Sequence, residues 1–177
     1  HSGKSIVSLG LMQLLLSKTP KVGYFRPIID DFISGGIDNH INTMISYFKL
    51  DLKFEDAYAF TRSEVLAMKN LDQEDEIISK IIEKYKAVEE QYDYVLIEGT
   101  SFTGEGALIE FDINVAIAKN LGVPAIILAS GVGKSLEDLT GSLRIAFDTF
   151  KDKGVEVLSV IANKVMRMSA DFFMSIG

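Results

Sequence analysis

Gly3-Lys4-Ser5 stands at the head of an apolar run, IVSLGLMQLLL. The triplet matches the second half of the phosphate-binding loop signature G-x-x-x-x-G-K-[ST]. Where such a triplet opens a helix, the first backbone N–H groups lack intrahelical partners and the dipole favours an anion. Lys4 would reach the outer phosphates, and the Ser5 hydroxyl is an oxygen donor suited to Mg²⁺. The first glycine of the signature and the strand before it would fall upstream of His1. The run after Ser5 is apolar on nearly all sides and is expected to be a buried helix.

Other residues of chemical interest fall at predicted strand ends. Glu98 follows the short apolar run Tyr94 to Ile97 and precedes Gly99. An acidic residue just past a buried strand is the Walker-B arrangement, which holds Mg²⁺ directly or through water. Arg26 closes the predicted strand Lys21 to Ile28, where a guanidinium could clamp a phosphate or carboxylate, or make a surface ion pair. Asp38 opens a predicted helix as a cap, with a second Mg²⁺ ligand as the alternative. Asn163 follows the last strand, where its amide could pair with an adenine edge or favour a turn. His40, one of two histidines, reads as structural, and no Ser-His-Asp set can be assembled. Gly131-Val132-Gly133-Lys134-Ser135 imitates the first motif, but the spacing requires glycine where Leu128 stands. It reads instead as a strand-to-helix turn with Ser135 as the cap.

The elements that must carry these residues alternate. Helices are predicted from about Ser5 to Lys18, Asp38 to Phe48, Asp72 to Gln91, Phe111 to Asn120 and over the SLEDLTGSLRIAFDTFKDKG stretch. The third has a stripe of Ile77, Ile78, Ile81, Ile82, Tyr85 and Val88, with acidic residues crowding its start. Strands are read at KVGYFRPI, YVLI, VPAIILA and VEVLSVIANKV, and the segment from Leu50 to Arg62 is left as coil. Helices alternating with short apolar strands indicate an α/β fold, a mainly parallel sheet with helices on both faces in three layers. Ligands of such sheets sit outside the carboxyl ends of the strands. One domain over residues 1–177 fits the length. A net charge of −7 argues against nucleic acid or an anionic membrane as partner. The absence of cysteine removes disulfides and thiolate metal sites, in keeping with a cytoplasmic protein.

Taken together, the Gly-Lys-Ser helix, a strand ending in Arg26-Pro27, the opening at Asp38, the strand ending in Glu98-Gly99 and the strand ending in Asn163-Lys164 resemble the dethiobiotin-synthetase-like branch of P-loop proteins. The chain is most similar to the N-terminal domain of long bacterial phosphate acetyltransferases, through GKSIVSLGLMQLLL, VGYFRPI, YAFTRSEV, YDYVLIEGTSFTGEGALIEFDINVAIAKNLGVPAIIL and VIANKV. The resemblance implies that Gly3, Lys4 and Ser5 bind phosphate and that Ser5, Asp38 and Glu98 hold Mg²⁺. It also implies that Arg26 lies near the phosphate and Asn163 recognises the purine of ATP or another nucleotide. Ser5 stands where the synthetase has threonine, and Ser101-Phe102-Thr103 replaces its Gly-rich turn. The implied role is nucleotide binding that regulates or stabilises a larger homo-oligomeric enzyme. In that enzyme a C-terminal domain of the same chain transfers the acetyl group. A stand-alone Mg-ATP-dependent ligase and a degenerate P-loop docking domain are the competing readings.

Overall fold

The computed structural model describes residues 3–31, 36–100 and 107–165, with the side chains of 107–111 left aside. Its thirteen elements include α1 (Lys4–Leu16), β1 (Val22–Phe25), β2 (Ile28–Ile29), α2 (Asn39–Phe48), a single 3₁₀ turn (Phe54–Asp56), β3 (Phe60–Thr61) and α3 (Arg62–Lys69). They continue with α4 (Glu74–Glu89), β4 (Tyr94–Ile97), α5 (Ala107–Leu121), β5 (Ala125–Ser130), α6 (Leu136–Asp152) and β6 (Val157–Asn163). Among the described residues every strand pairing is parallel: β1 with β4, β2 with β3, and β5 with β6. The expected α/β class is therefore present, its strands arranged as three two-stranded pairs among the described residues. The chain divides into two compact units, one of residues 5–123 and one of residues 1–4 with 124–177.

In the larger unit, β1 is buried along its whole length, as a parallel strand covered on both faces should be. Its side chains alternate. Val22 and Tyr24 join Met12 of α1 and Ile41 and Met44 of α2 in one core cluster. Phe25 joins Val65 of α3, Ile77, Ile81, Tyr85 and Val88 of α4, and Ile113, Ile117 and Leu121 of α5 in the other. Residues at period two on a strand point to opposite faces, so one four-residue strand is the spine between two helical layers. The predicted stripe of α4 is this second core, with Ile78 and Ile82 packed at its margin.

Three expectations change. The helix α1 is not buried all round: Ser8 and Met12 are buried, but Ile6 and Leu14 are exposed. The strand expected from Lys21 to Ile28 is two short strands separated by Arg26 and Pro27, since proline has no N–H for a ladder. Part of the segment left as coil is ordered: β3 pairs with β2, and the Pro27 carbonyl accepts from the N–H groups of Ala59 and Phe60 at 3.1 Å each.

In the smaller unit, Ser135 caps α6 by accepting from the Asp138 N–H at 3.0 Å, as expected of the strand-to-helix turn. Leu139 and Phe150 of α6 are buried with Ile127 of β5 and Val155. Ile126, Leu158 and Val160 stay exposed, so this strand pair is less buried than its apolar sequence suggests. Among the described residues, this unit supplies one helix to cover the pair.

Candidate functional site

The parallel register sets Phe25 opposite Ile97, so Arg26 and Glu98 leave the carboxyl ends of β1 and β4 side by side. The Glu98 N–H continues the ladder to the Phe25 carbonyl at 2.9 Å. Beyond Glu98 the chain is clamped: the Asn114 side chain on α5 accepts from the Thr100 N–H at 3.0 Å and donates to the Thr100 carbonyl at 3.2 Å. Gly99 is required here. A Cβ at that position would lie 2.8 Å from Asn114 Oδ1.

Glu98 is the hub. Tyr24, from the middle of β1, donates its hydroxyl to Glu98 Oε2 at 3.0 Å. His40, in the first turn of α2, places Nδ1 3.0 Å from Glu98 Oε1. The same Nδ1 lies 3.1 Å from Ser5 Oγ. Ser8, one turn beyond Ser5 on the same face of α1, adds a further hydrogen bond to the Glu98 carboxylate. Burial raises the Glu98 carboxyl, but the hydrogen bonds from His40, Ser8 and Tyr24 outweigh it and hold the group below its ordinary value. Glu98 is therefore ionised at neutral pH although only 3% of its side chain is exposed. Burial first, then the neighbouring Glu98 carboxylate, pushes the Tyr24 phenol well up.

Asp38 takes the capping role expected of it. Its Oδ1 accepts from the N–H groups of His40 and Ile41 at 2.9 and 3.0 Å. Its Oδ2 is ion-paired with Arg26 Nη1. Both partners are about 5% exposed, so this is a buried pair rather than the surface pair weighed from sequence. Arg26 Nη2 also lies 3.7 Å from exposed Asp30, and its buried Nε has no hydrogen-bond partner.

Ser5, Arg26, Asp38 and Glu98 thus meet in the larger unit, with three residues that sequence reasoning missed. Ser8 was signalled by its i+3 spacing from Ser5, and Tyr24 by its position two residues before Arg26 on the same strand face. Nothing in its residue type marked His40. Its ring meets Ser5 and Glu98 through one nitrogen, so the three do not form a proton relay, which needs both. Lys4 opens α1 beside Ser5. In the smaller unit Gly3 has a left-handed φ of 89°, and a Cβ on it would fall 2.2 Å from Asn163 Nδ2. Asn163 Oδ1 accepts from the Lys164 N–H at 2.8 Å. Lys134 of the imitation motif donates to Ser142 Oγ at 3.4 Å. Residues 101–103 lie outside the described residues. Among those described, no group of three or more His, Asp or Glu side chains is placed to hold a metal. No described helix is long and apolar enough to cross a membrane.

A family model described as an AAA domain matches residues 1–172. The chain belongs to this family of P-loop domains. It is similar to three proteins named phosphate acetyltransferase. The one from Nitratidesulfovibrio vulgaris is 39% identical over 96% of this chain, and the one from Synechocystis sp. is 34% identical over 93%. The one from Pseudomonas aeruginosa is 27% identical over 92%. The chain spans about a quarter of the length of these relatives, 24%, 24% and 23% in turn.

Proposed function

We propose that this AAA-family domain binds a purine nucleotide with Mg²⁺ and serves as the regulatory or structural module of a phosphate acetyltransferase. In that protein, the conversion of acetyl-CoA and phosphate to acetyl phosphate and CoA would belong to a separate C-terminal domain of the same chain. The observation that carries the reading is the meeting of Ser5, from the start of the Gly-Lys-Ser helix, with the buried, ionised Glu98 across one histidine nitrogen. A hydroxyl and a carboxylate are the hard oxygen donors that Mg²⁺ takes, so the donor set fits the ion. Ser5 and Glu98 would hold it, and Asp38 would join them as the third oxygen donor by sharing the oxygen that faces Arg26.

Bound Mg²⁺ would offset phosphate charge. The chain's own residues do the rest. Gly3 to Ser5 offer backbone N–H groups and a helix start to the phosphates, and Lys4 adds its charge. Asp38 keeps Arg26 neutralised, so Arg26 contributes to this edge through Asp38. Asn163 would read the base edge by turning its amide away from Gly3. The paired state of Arg26 favours binding over the ligase reading, which wants a basic group on the transferred phosphoryl.

Calorimetry with ATP and GTP, with and without Mg²⁺, tests the proposal on a protein carrying the complete loop. Lys4→Ala is expected to abolish binding while leaving the melting temperature unchanged. Lys134→Ala is expected to leave affinity within about twofold, since its position lacks the loop spacing. Unchanged affinity in Lys4→Ala, or the reverse ranking, refutes the assignment.

A further inference from the structure

We infer that the His40 ring competes with a divalent ion for the Ser5 and Glu98 oxygens and gives them up when the ion binds. This rests on the cation reading above. The geometry is specific: one ring nitrogen stands 3.1 Å from Ser5 Oγ and 3.0 Å from Glu98 Oε1. An octahedral Mg²⁺ bound to two such oxygens sits about 2.0–2.1 Å from each and brings adjacent ligands to about 2.9 Å apart. The ring nitrogen stands within hydrogen-bond reach of the same two oxygens that would hold the ion, so ring and ion compete for them.

Mg²⁺ prefers oxygen and dehydrates reluctantly, so the imidazole gains little by joining the shell and leaves it instead. The ring has somewhere to go. His40 is 36% exposed at its side chain, against 3% for Glu98. Its backbone is separately fixed, because the His40 N–H is held by Asp38 Oδ1 at 2.9 Å. The side chain can therefore turn about χ1 while the start of α2 stays in place. In the ion-free protein the ring adds a partner for the buried Glu98 carboxylate beside Tyr24 and Ser8. His40 is thus a positioning residue: its ring stands at the two oxygens in the ion-free protein and is exchanged for the ion.

The test compares ATP affinity with Mg²⁺ and with EDTA by calorimetry, in the unaltered protein, His40→Ala and His40→Asn. Removing the competing ring spares the ion the loss of one hydrogen bond. The Mg²⁺-dependent gain in affinity is therefore expected to rise about fivefold in His40→Ala. Asparagine, a smaller polar competitor, should give an intermediate rise and carries the comparison if the alanine variant fails to fold. Comparison with His40→Ala assigns the His40 ring resonance by difference, and it should lose its hydrogen-bonded shift when Mg²⁺ and ATP are added to the protein carrying the complete loop. An unchanged or smaller Mg²⁺-dependent gain in both variants, or a ring shift indifferent to the ion, overturns the inference while leaving nucleotide binding standing. A smaller gain would make His40 a ligand. Absence of any Mg²⁺ effect in the unaltered protein overturns the cation reading and this inference with it.

Discussion

Replacing Asp38 by asparagine separates the two jobs that this carboxylate performs. The substitution keeps an oxygen to accept from the His40 and Ile41 N–H groups, so the cap of α2 survives. It removes the charge facing Arg26. Breaking one side of a buried ion pair costs about 3–5 kcal/mol, because an uncompensated charge is left in a poorly solvated place. Asp30 returns part of this. It lies 3.7 Å from Arg26 Nη2 but is 58% exposed, so its help is that of a surface pair, about 0–1 kcal/mol. The expected cost of Asp38→Asn is therefore about 2–5 kcal/mol. Asp38→Ala also forfeits the cap and should cost about 1 kcal/mol more. Urea unfolding followed by circular dichroism, in EDTA, measures both as a fall in midpoint at constant slope. The double variant Asp38→Asn with Arg26→Met should recover much of the loss, with a coupling energy of about 2 kcal/mol or more. A loss under about 0.5 kcal/mol in EDTA, or simple additivity in the double variant, would refute the reasoning. Asp38 would then matter as a metal ligand alone.

Two further outcomes are expected. Gly99→Ala should destabilise by about 1–3 kcal/mol, because its Cβ drives against an Asn114 oxygen already bound to Thr100. In thermal unfolding, adding Asn114→Ala should cost less than the sum of the two single changes, and full additivity would count against the clash. Burial, then the hydrogen bond to Glu89 and its charge, pushes the Tyr85 phenol up to about 12. A group raised in the folded state stabilises fully below its unfolded value, about 10, and loses that contribution as pH rises through its folded value. Stability should thus fall between those two values by less in Tyr85→Phe than in the unaltered protein. Equal slopes in pH-dependent urea midpoints would contradict the assignment.

The long helices were legible because their periodicity is strong: Ile77, Ile81, Tyr85 and Val88 form one stripe, and that stripe is the core. The helix α3 was missed despite a written signal. Thr61-Arg62-Ser63-Glu64 is a capping box, with the Glu64 carboxylate accepting from the Thr61 N–H at 2.7 Å and the Thr61 hydroxyl oxygen from the Glu64 N–H at 3.4 Å. The strands β2 and β3, two residues each, are too short for alternation to register and exist through their pairing across the chain. At the site, Ser5 was singled out by the Gly-Lys-Ser triplet and Glu98 by its place after a short apolar strand, and both lie against one His40 nitrogen. His40 was not found, because its role depends on a neighbour 58 residues away in sequence. Arg26 was found, but its burial comes from Asp38 and the Pro27 turn rather than from its own polarity.

The clamp of Asn114 on Thr100 has an evolutionary consequence. Both hydrogen bonds run to the backbone of Thr100, so they do not depend on that residue's side chain. They tie together positions fourteen apart in sequence, two residues beyond Glu98. Descendants of this sequence can therefore change the side chain at position 100 while the backbone beyond the carboxylate at the end of β4 stays held.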